Sequence, residues 1–339
     1  MEKLSYSVVI RTLGNTGEKY NALLQSIKKQ TIKPDEIIVV IPNGYTLDYQ
    51  LGIERIIRSP KGMISQRACG IMEAKSDYIL VVDDDLEFSA TLVEELYDYL
   101  SLNHLDVCFP MEGVESTEEK EKSKMIFQWK LSILMRSFFT GQMFISKRKS
   151  KFLDIITPTA GHKVFIKDKY KDGLYFCQTG NFQIHFIKTE LAKRVQLENE
   201  KWLETGTISR YSAYDDPVYY YKLYLMGATM AYSLRTRYKH LDAGAGRIAH
   251  SKVEEKRIRY YTVAKNRTIF WKKFIWDYTS TIKKPFVLIC GLYGMINYFM
   301  FSVLVSAYPK MWSAIQALCE GYKHAITYLL FHKIGDKSI

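Results

Sequence analysis

The chain has 339 residues, of which 47% are hydrophobic and 25% charged, a composition that fits a folded globular protein and excludes an extensively disordered one. Its formal net charge of +12 indicates a polyanionic partner, such as an anionic lipid surface, a nucleic acid or a phosphorylated substrate. The five cysteines show no C-x-x-C spacing. They therefore argue against a zinc site and a disulfide framework, and they favour a reducing cytoplasm.

The N-terminal third alternates between apolar strands and amphipathic helices. Strands are predicted at 7–11, 36–41, 54–58 and 78–82, with helices at 18–30 and 64–74. Continuous apolar runs separated by helices are typical of parallel strands covered on both faces, so we expect a doubly wound α/β half-domain. No signal peptide is expected, because the first strand begins where a leader would lie.

The middle of the chain is mixed. Short strands are predicted at 141–151 and 183–187, and the charged segment 112–124 suggests a solvated loop or helix face. A helix is predicted from Asp215, with Gly227 as its C-terminal cap.

Residues 285–308 form an uncharged segment that is long enough to cross a bilayer. Gly291, Gly294 and Asn297 interrupt it, and the preceding segment 251–284 holds ten Lys or Arg against three acidic residues. These features favour in-plane attachment to the anionic inner face of the cell membrane over a transmembrane segment or a place in the core, and a membrane over nucleic acid. A last amphipathic helix is predicted at 312–331.

Three consecutive carboxylates, Asp83, Asp84 and Asp85, follow the apolar strand at 78–82. In open α/β sheets, ligands bind at the carboxyl ends of the strands. Adjacent carboxylates repel one another unless a cation holds them, and a divalent ion such as Mn²⁺ or Mg²⁺ prefers oxygen ligands. The cluster therefore predicts a metal site for the diphosphate of a substrate, the alternative being an exposed acidic turn.

Two other metal-binding patterns apply to the same residues. An EF-hand loop needs glycine at its sixth position, where Phe88 stands, so that pattern is excluded. A haloacid-dehalogenase-like phosphatase has Thr or Val where this chain has Glu87, and it remains an alternative.

Five segments, in order and spacing, resemble family-two glycosyltransferases of the GT-A fold over residues 5 to 275. They are the opening strand 7–12, the second strand 34–40, the glycine-and-arginine segment 61–67, the pair Asp215-Asp216 with Gly227, and the arginine-rich helix 264–273. The resemblance implies a Rossmann-like α/β domain with a mostly parallel sheet and helices on both faces. We expect this domain at 1–275, with a nucleotide-binding half at 1–105, an acceptor half at 106–275, and a helical membrane-associating tail at 276–339.

The resemblance also implies a donor site at the end of the sheet. Asp83 and Asp84 would face the nucleotide ribose and base, and Asp85 would hold the metal on the diphosphate. Lys61 and Arg67 lie at a helix start, where cations and backbone N–H groups can meet phosphate. The expected donor-binding residues are Arg11, Thr12, Asn43, Lys61, Arg67, Asp83 and Asp84.

On the acceptor side, Asp216 is expected to act as the general base, because an acceptor hydroxyl is a poor nucleophile until its proton is removed. Asp215 would orient the acceptor or serve as the base itself. An N-terminal cap is the alternative for this pair, since Pro217 suits a helix start. Gly180 and Asn181 resemble the segment lining donor sugar and acceptor, or form a turn. Trp202 either stacks on a sugar or fills the core.

His240 matches a position where the family often completes the metal shell, although a lone histidine is more often structural. Two departures affect nucleotide recognition. Asn43 stands in a Pro-Asn-Gly turn where many members have an Asp that reads the base, and Ala68 replaces a common Asn.

The sequence thus predicts an inverting, metal-dependent glycosyltransferase that moves a sugar from a nucleotide-sugar donor to a glycan or lipid-linked acceptor in cell-surface polysaccharide synthesis. It would be cytoplasmic and peripheral on the membrane. Two rivals stay open: the phosphatase, which would not depend on Asp216, and a non-catalytic, membrane-tethered sugar-binding relative.

Overall fold

The chain forms one mixed β-sheet flanked by helices. A computed structural model describes residues 4–113, 152–164, 173–206, 213–241, 252–307 and 311–331. The strands there are β1 (Tyr6–Arg11), β2 (Glu36–Pro42), β3 (Glu54–Ser59), β4 (Tyr78–Asp83), β5 (Leu86–Phe88), β6 (Val107–Glu112), β7 (Phe152–Ile156), β8 (His162–Val164), β9 (Leu174–Cys177), β10 (Ile184–Lys188) and β11 (Met230–His240). They pair in the order β3-β2-β1-β4-β10-β6-β11-β9-β7-β8, and β5 pairs with β11.

Helices lie on both faces of this sheet and continue beyond it. They are α1 (Glu18–Lys28), α2 (Met63–Glu73), α3 (Leu92–Leu102), α4 (Thr189–Arg194), α5 (Asp215–Leu225), α6 (Lys252–Phe270), α7 (Lys284–Ala307) and α8 (Trp312–Phe331). A 3₁₀ segment spans Leu197–Leu203, and α6 runs on into a π-helical segment, Trp271–Trp276.

The alternation of side chains along β1 shows the two-faced core. Val8 and Ile10 pack with α1 and α3, whereas Val9, between them, packs with α2 and α5. Each fully buried aliphatic side chain of this kind stabilises the fold by roughly 1.5–3 kcal/mol. The predicted doubly wound arrangement of the first half is therefore confirmed.

Within the described residues, five of the ten strand pairings are parallel, so the prediction of a mostly parallel sheet holds in part. Strands β3, β2, β1 and β4 are parallel, as expected. Strand β10 then runs antiparallel to both β4 and β6, so the whole sheet is mixed. An apolar run indicates that a strand is buried but not whether it runs parallel or antiparallel to its neighbours, so the sequence could not predict this reversal. The strand predicted at 141–151 and most of the charged segment 112–124 lie outside the described residues.

The C-terminal helices pack on one another and on the rest of the chain. Gly321 of α8 lies against the backbone of Tyr261 in α6, and Gly291 of α7 lies against the ring of Trp271. Among the described residues, Thr281–Ser306 is the one helical stretch long and apolar enough to cross a membrane.

Candidate active site

Two parallel strands deliver an ion pair to the carboxyl edge of the sheet. Arg11 ends β1 and Asp83 ends β4, and the two are direct partners in the strand register. The Arg11 Nη2 atom lies 3.0 Å from Asp83 Oδ1. Parallel pairing of the two predicted strands therefore places their charged end residues side by side. This is the edge where ligands bind in open α/β sheets.

Arg67, on α2, joins this edge to the acceptor side. Its side chain is only 3% exposed, with Nη2 3.3 Å from Asp83 Oδ1 and Nη1 paired with Asp215. The guanidinium also lies over the Phe182 ring, 4.2 Å from its centroid. Although burial opposes both charges, the neighbouring carboxylates raise the pKa of Arg67, and Arg11 and Arg67 lower the pKa of Asp83.

That geometry changes the expected role of Arg67. Both terminal nitrogens of its guanidinium are engaged by carboxylates, and the buried side chain has little access to a ligand. Arg67 therefore acts as a buried link between the donor-side and acceptor-side aspartates, and the predicted phosphate contact is corrected.

Asp84 is fixed by two hydroxyls from the loop after β1. Thr12 Oγ1 donates to Asp84 Oδ2 at 2.5 Å and Thr16 Oγ1 donates to the same atom at 3.2 Å. Thr12 Oγ1 in turn accepts from the Gly14 N–H at 2.8 Å. The structure therefore brings Thr12 and Asp84 together.

Asp85 and His240 come together through the pairing of β5 with β11. The register places His240 opposite Leu86, and the Leu241 N–H donates to the Asp85 carbonyl at 2.8 Å. The His240 Nε2 atom lies 3.1 Å from Asp85 Oδ2, with both side chains partly exposed. Two residues that are 155 positions apart in sequence, Asp85 and His240, thus come together as predicted.

Asp85 and His240 can hold a divalent ion only when a bound substrate and water supply the remaining metal ligands. No set of three His, Cys, Asp or Glu side chains with metal-binding geometry occurs within the described residues. One carboxylate and one imidazole suit Mn²⁺ or Mg²⁺ when substrate phosphates and water complete the shell. The exposure of the two side chains leaves room for those ligands.

Asp215 and Asp216 lie in the first turn of α5. Tyr214 is the N-terminal cap residue, in a left-handed conformation with φ of 78°, so neither aspartate is the cap. Asp216 Oδ1 accepts a hydrogen bond of 3.1 Å from the Phe182 N–H, while Asp215 pairs with Arg67. Burial and the adjacent Asp215 raise the pKa of Asp216 to about 7. Asp216 is therefore oriented, and its basicity is raised.

Lys61 and Asn43 lie at the rim. Both side chains are exposed. Lys61 Nζ donates to Tyr45 OH at 2.6 Å, and the Asn43 N–H donates to the Ser59 carbonyl at 3.0 Å. The donor roles of both residues stay predictions.

The start of α2 is occupied by a carboxylate. Glu204 accepts from the Ile64 N–H at 3.1 Å and from the Ser65 hydroxyl, and a Cβ on Gly62 would collide with it. The predicted phosphate site at this helix start is therefore wrong, because Glu204 already neutralises the helix dipole there.

We expect Glu204→Ala to lower the free energy of unfolding by about 1–2 kcal/mol, because it removes a charged acceptor from a helix N-terminus. Urea unfolding measures the loss. Glu198→Ala, at another acidic residue of the same region, is the control. Equal stability of the two variants would contradict the capping role.

The predicted acceptor residues have structural partners. Gly180 is buried against the Phe109 ring, which a Cβ would overlap. Asn181 bonds Gln183 through its side chain, at 2.7 Å and 2.8 Å. Trp202 is 5% exposed and donates to Glu200. Trp202 therefore fills the core, and its sugar-stacking role is corrected, because no open ring face remains.

Three contributors could not be found from sequence patterns. Phe182 supplies both the N–H for Asp216 and the ring beneath Arg67. His162 pairs with the buried Asp154, and the neighbouring turn is fixed by Tyr214 OH, which donates to the Ala160 carbonyl at 2.9 Å. A backbone donor and tertiary pairs leave no spacing signal in the sequence.

Polar side chains of the expected arginine-rich helix form hydrogen bonds within the protein. Lys265 donates to the Trp202 carbonyl at 2.6 Å, and Asn266 to the Leu203 and Ala213 carbonyls at 2.9 Å and 2.8 Å. Arg267 donates to the Thr159 carbonyl at 2.7 Å. Helix α6 therefore fixes the loops that surround α5.

Comparison with known proteins identifies the N-terminal half. The sequence model of Glycosyl transferase family 2 matches residues 7–174. Poly(ribitol-phosphate) beta-N-acetylglucosaminyltransferase TarP of Staphylococcus aureus (strain N315) is 25% identical over 171 residues, covering 45% of this chain and 51% of TarP. The chain thus aligns with about half the length of that curated relative.

Two solved structures are similar to this one over most of its length. S. aureus TarS 1–349 has a TM-score of 0.46 at 13% identity, covering 99% of this chain and 89% of that one. The mannosyltransferase PcManGT from Pyrobaculum calidifontis, in complex with GDP-Man and Mn²⁺, has a TM-score of 0.49 at 12% identity, covering 97% and 87%.

The family match begins at Ser7 in β1 and extends past β4 and β5, the strands that bring Arg11, Asp83 and Asp85 to one edge of the sheet. Residues 7–174, the part of the chain that carries this edge of the mixed α/β sheet, therefore form a glycosyltransferase family 2 domain.

Proposed function

We propose that this enzyme is an inverting glycosyltransferase that moves a sugar from a nucleoside diphosphate donor to a glycan or lipid-linked acceptor in cell-surface polysaccharide synthesis. The observation that carries the proposal is the continuous set of contacts from Asp83 through Arg67 to Asp215, beside the oriented Asp216. It joins a donor-side cluster to a candidate base. The name of TarP, a transferase to poly(ribitol-phosphate), supports a cell-envelope polymer as acceptor.

Asp216 is the general base in this proposal. As the acceptor oxygen attacks the anomeric carbon, its proton passes to the Asp216 carboxylate, and the bond from that carbon to the diphosphate oxygen breaks. The nucleoside diphosphate leaves with the electron pair, and attack from the opposite side inverts the anomeric configuration. A carboxylate with a pKa of about 7 suits this step, because a base works best when its pKa is near the working pH.

The donor lies, in the same proposal, against Asp83 and Asp84, with Arg11, Thr12, Asn43 and Lys61 around them. Asp83 and Asp84 are pre-positioned by Arg11 and Thr12. Asp85 and His240 would hold a Mn²⁺ or Mg²⁺ ion, which when bound neutralises charge on the diphosphate.

The metal-site proposal predicts that Asp85→Ala weakens Mn²⁺ binding by at least tenfold, because it removes the carboxylate of a two-residue site. Titration calorimetry of Mn²⁺ in the presence of a nucleoside diphosphate gives the binding constant. Glu87→Ala, at an exposed carboxylate two residues away, is the matched control. Unchanged Mn²⁺ affinity in the Asp85 variant would remove this residue from the site.

A screen of nucleotide sugars for Mn²⁺-dependent donor hydrolysis tests the whole proposal and its rivals. We expect the wild type to release nucleoside diphosphate from at least one donor. A phosphatase would instead release phosphate from simple esters without any dependence on Asp216. A sugar-binding relative would leave the donor intact while still binding it.

We also propose a place for the enzyme, peripheral on the inner face of the cell membrane. The long apolar helix Thr281–Ser306 supports it.

A further inference from the structure

Helix α7 presents a purely apolar face to solvent. All exposed side chains between Lys284 and Ser306 are apolar: Pro285, Phe286, Leu288, Ile289, Leu292, Ile296, Met300, Leu304 and Val305. Most recur every three or four residues, so they share one face, and from 286 to 304 that face is about 27 Å long at 1.5 Å per residue. An exposed apolar surface of this extent indicates a binding surface.

The opposite face of α7 is docked on the enzyme along its length. A Cβ on Gly294 would lie 2.8 Å from Arg267 Nη2, and Gly291 packs on Trp271. Farther along, Ser306 Oγ donates to Tyr260 OH at 3.2 Å. Lipid cannot surround this helix while these contacts persist, so the structure favours a helix lying in the plane of a membrane over one that crosses it.

Charge around this face suits an anionic partner. No Asp or Glu occurs between Asp277 and Glu320, whereas Lys283, Lys284 and Lys310 do. Lys283 is exposed at the start of α7. Beyond the two ends of the helix stand exposed aromatic residues of the kind enriched at membrane interfaces, Tyr278 and Trp312.

Several cations of the basic segment 251–284 are engaged within the protein. Lys265 and Arg267 are buried and donate to backbone carbonyls, and Lys273 pairs with Glu200. Electrostatic attraction therefore rests on the cations at the start of α7, and the apolar face must supply most of the affinity.

One turn lies between helix α7 and the acceptor side of the site. Thr159 lies against Gly294 of α7, and the next residue, Ala160, accepts the hydrogen bond from Tyr214, which directly precedes Asp215. The docked face of α7 and the candidate base thus flank the same turn.

We propose that α7 docks in the plane of an anionic lipid bilayer, with its apolar face inserted at the boundary of headgroups and acyl chains. Docking would hold the acceptor side of the site close to the lipid surface, where a lipid-linked acceptor can enter. The docking deepens the peripheral membrane location proposed above, and acceptor entry rests on the proposed transfer activity; membrane binding itself can be tested without any transfer reaction.

Sedimentation with phosphatidylglycerol vesicles tests the docking. We expect the wild type to bind these vesicles and to bind phosphatidylcholine vesicles more weakly. The double variant Ile289→Gln/Ile296→Gln should bind at least about tenfold more weakly than the wild type, because it loses two aliphatic side chains that the bilayer would bury. Ile53→Gln is the matched control, because Ile53 is 70% exposed but lies away from α7.

Several outcomes would overturn the proposal. The first is equal vesicle binding by the double variant and the wild type, and the second is no vesicle binding by either. The third is a wild-type dimer that dissociates in the double variant but not in the control, which would mean that a second copy of the chain covers the apolar face. Retention of the protein in membranes after alkaline carbonate extraction would indicate a spanning helix. Donor hydrolysis should be equal in the wild type and in all of these variants. A failure of the proposed function would therefore appear as absent hydrolysis in every protein, independently of vesicle binding.

Discussion

Asp216→Asn is expected to lower the rate of sugar transfer by about 10²–10⁴-fold, the usual contribution of a general base. Asparagine keeps the size of the side chain and can still accept the Phe182 N–H through its carbonyl oxygen, so orientation is preserved. What disappears is the group that receives the acceptor proton. Steady-state transfer with a radiolabelled donor measures the loss.

Asp98→Asn, an exposed aspartate on α3, is the matched control and should transfer at the wild-type rate. The wild-type rate should rise with pH and level off above about 7, because burial and Asp215 raise the pKa of Asp216 to about 7 and the base acts when ionised. A variant that retains more than a tenth of the activity, with the same pH profile, would exclude Asp216 as the base.

The same raised pKa has an opposite consequence for stability. Ionised Asp216 is less favourable in the folded chain than in the unfolded one, so its contribution is fully present below the unfolded pKa, near 4, and is lost as the pH rises to about 7. Asp216→Asn should therefore melt at or above the wild-type temperature at pH 8 and lose this advantage at pH 4. Stability and activity would change in opposite directions, as is common at active sites.

Local patterns predicted the parts of the site that lie at ends of elements. The apolar runs before Arg11 and Asp83 determine both strands, and parallel pairing brings their ends together. The helix starting at Asp215 and ending before Gly227 was also predicted, and Gly227 has the positive φ of 88° that such a cap requires.

Long-range partners could not be predicted in this way. Glu204 reaches a helix start 140 residues away, and Arg67 turns inward to Asp215 instead of outward to phosphate. Trp202 is buried beside Glu200, which accepts its indole N–H and is itself paired with the distant Lys273. Such pairings depend on the packing of the whole sheet and its helices, and no residue spacing encodes them.

Arg67→Met is expected to lower the free energy of unfolding by about 3–5 kcal/mol, the cost of removing one partner from a buried ion pair. The change leaves Asp215 without its guanidinium and leaves Asp83 with Arg11 alone. Urea unfolding at pH 8 measures the loss. The deficit should shrink at pH 5, because the newly unpaired carboxylates can take up protons.

Arg55→Met provides the control, since Arg55 also contacts two carboxylates, Glu36 and Glu73, but is 38% exposed. Exposed pairs contribute at most about 1 kcal/mol, so burial and not pairing should decide the difference between the two variants. If Arg67→Met does not fold, Arg67→Lys keeps one charge without the two-sided guanidinium and should lose an intermediate amount. Equal losses at Arg55 and Arg67 would show that Arg67 is not the buried link between donor and acceptor aspartates.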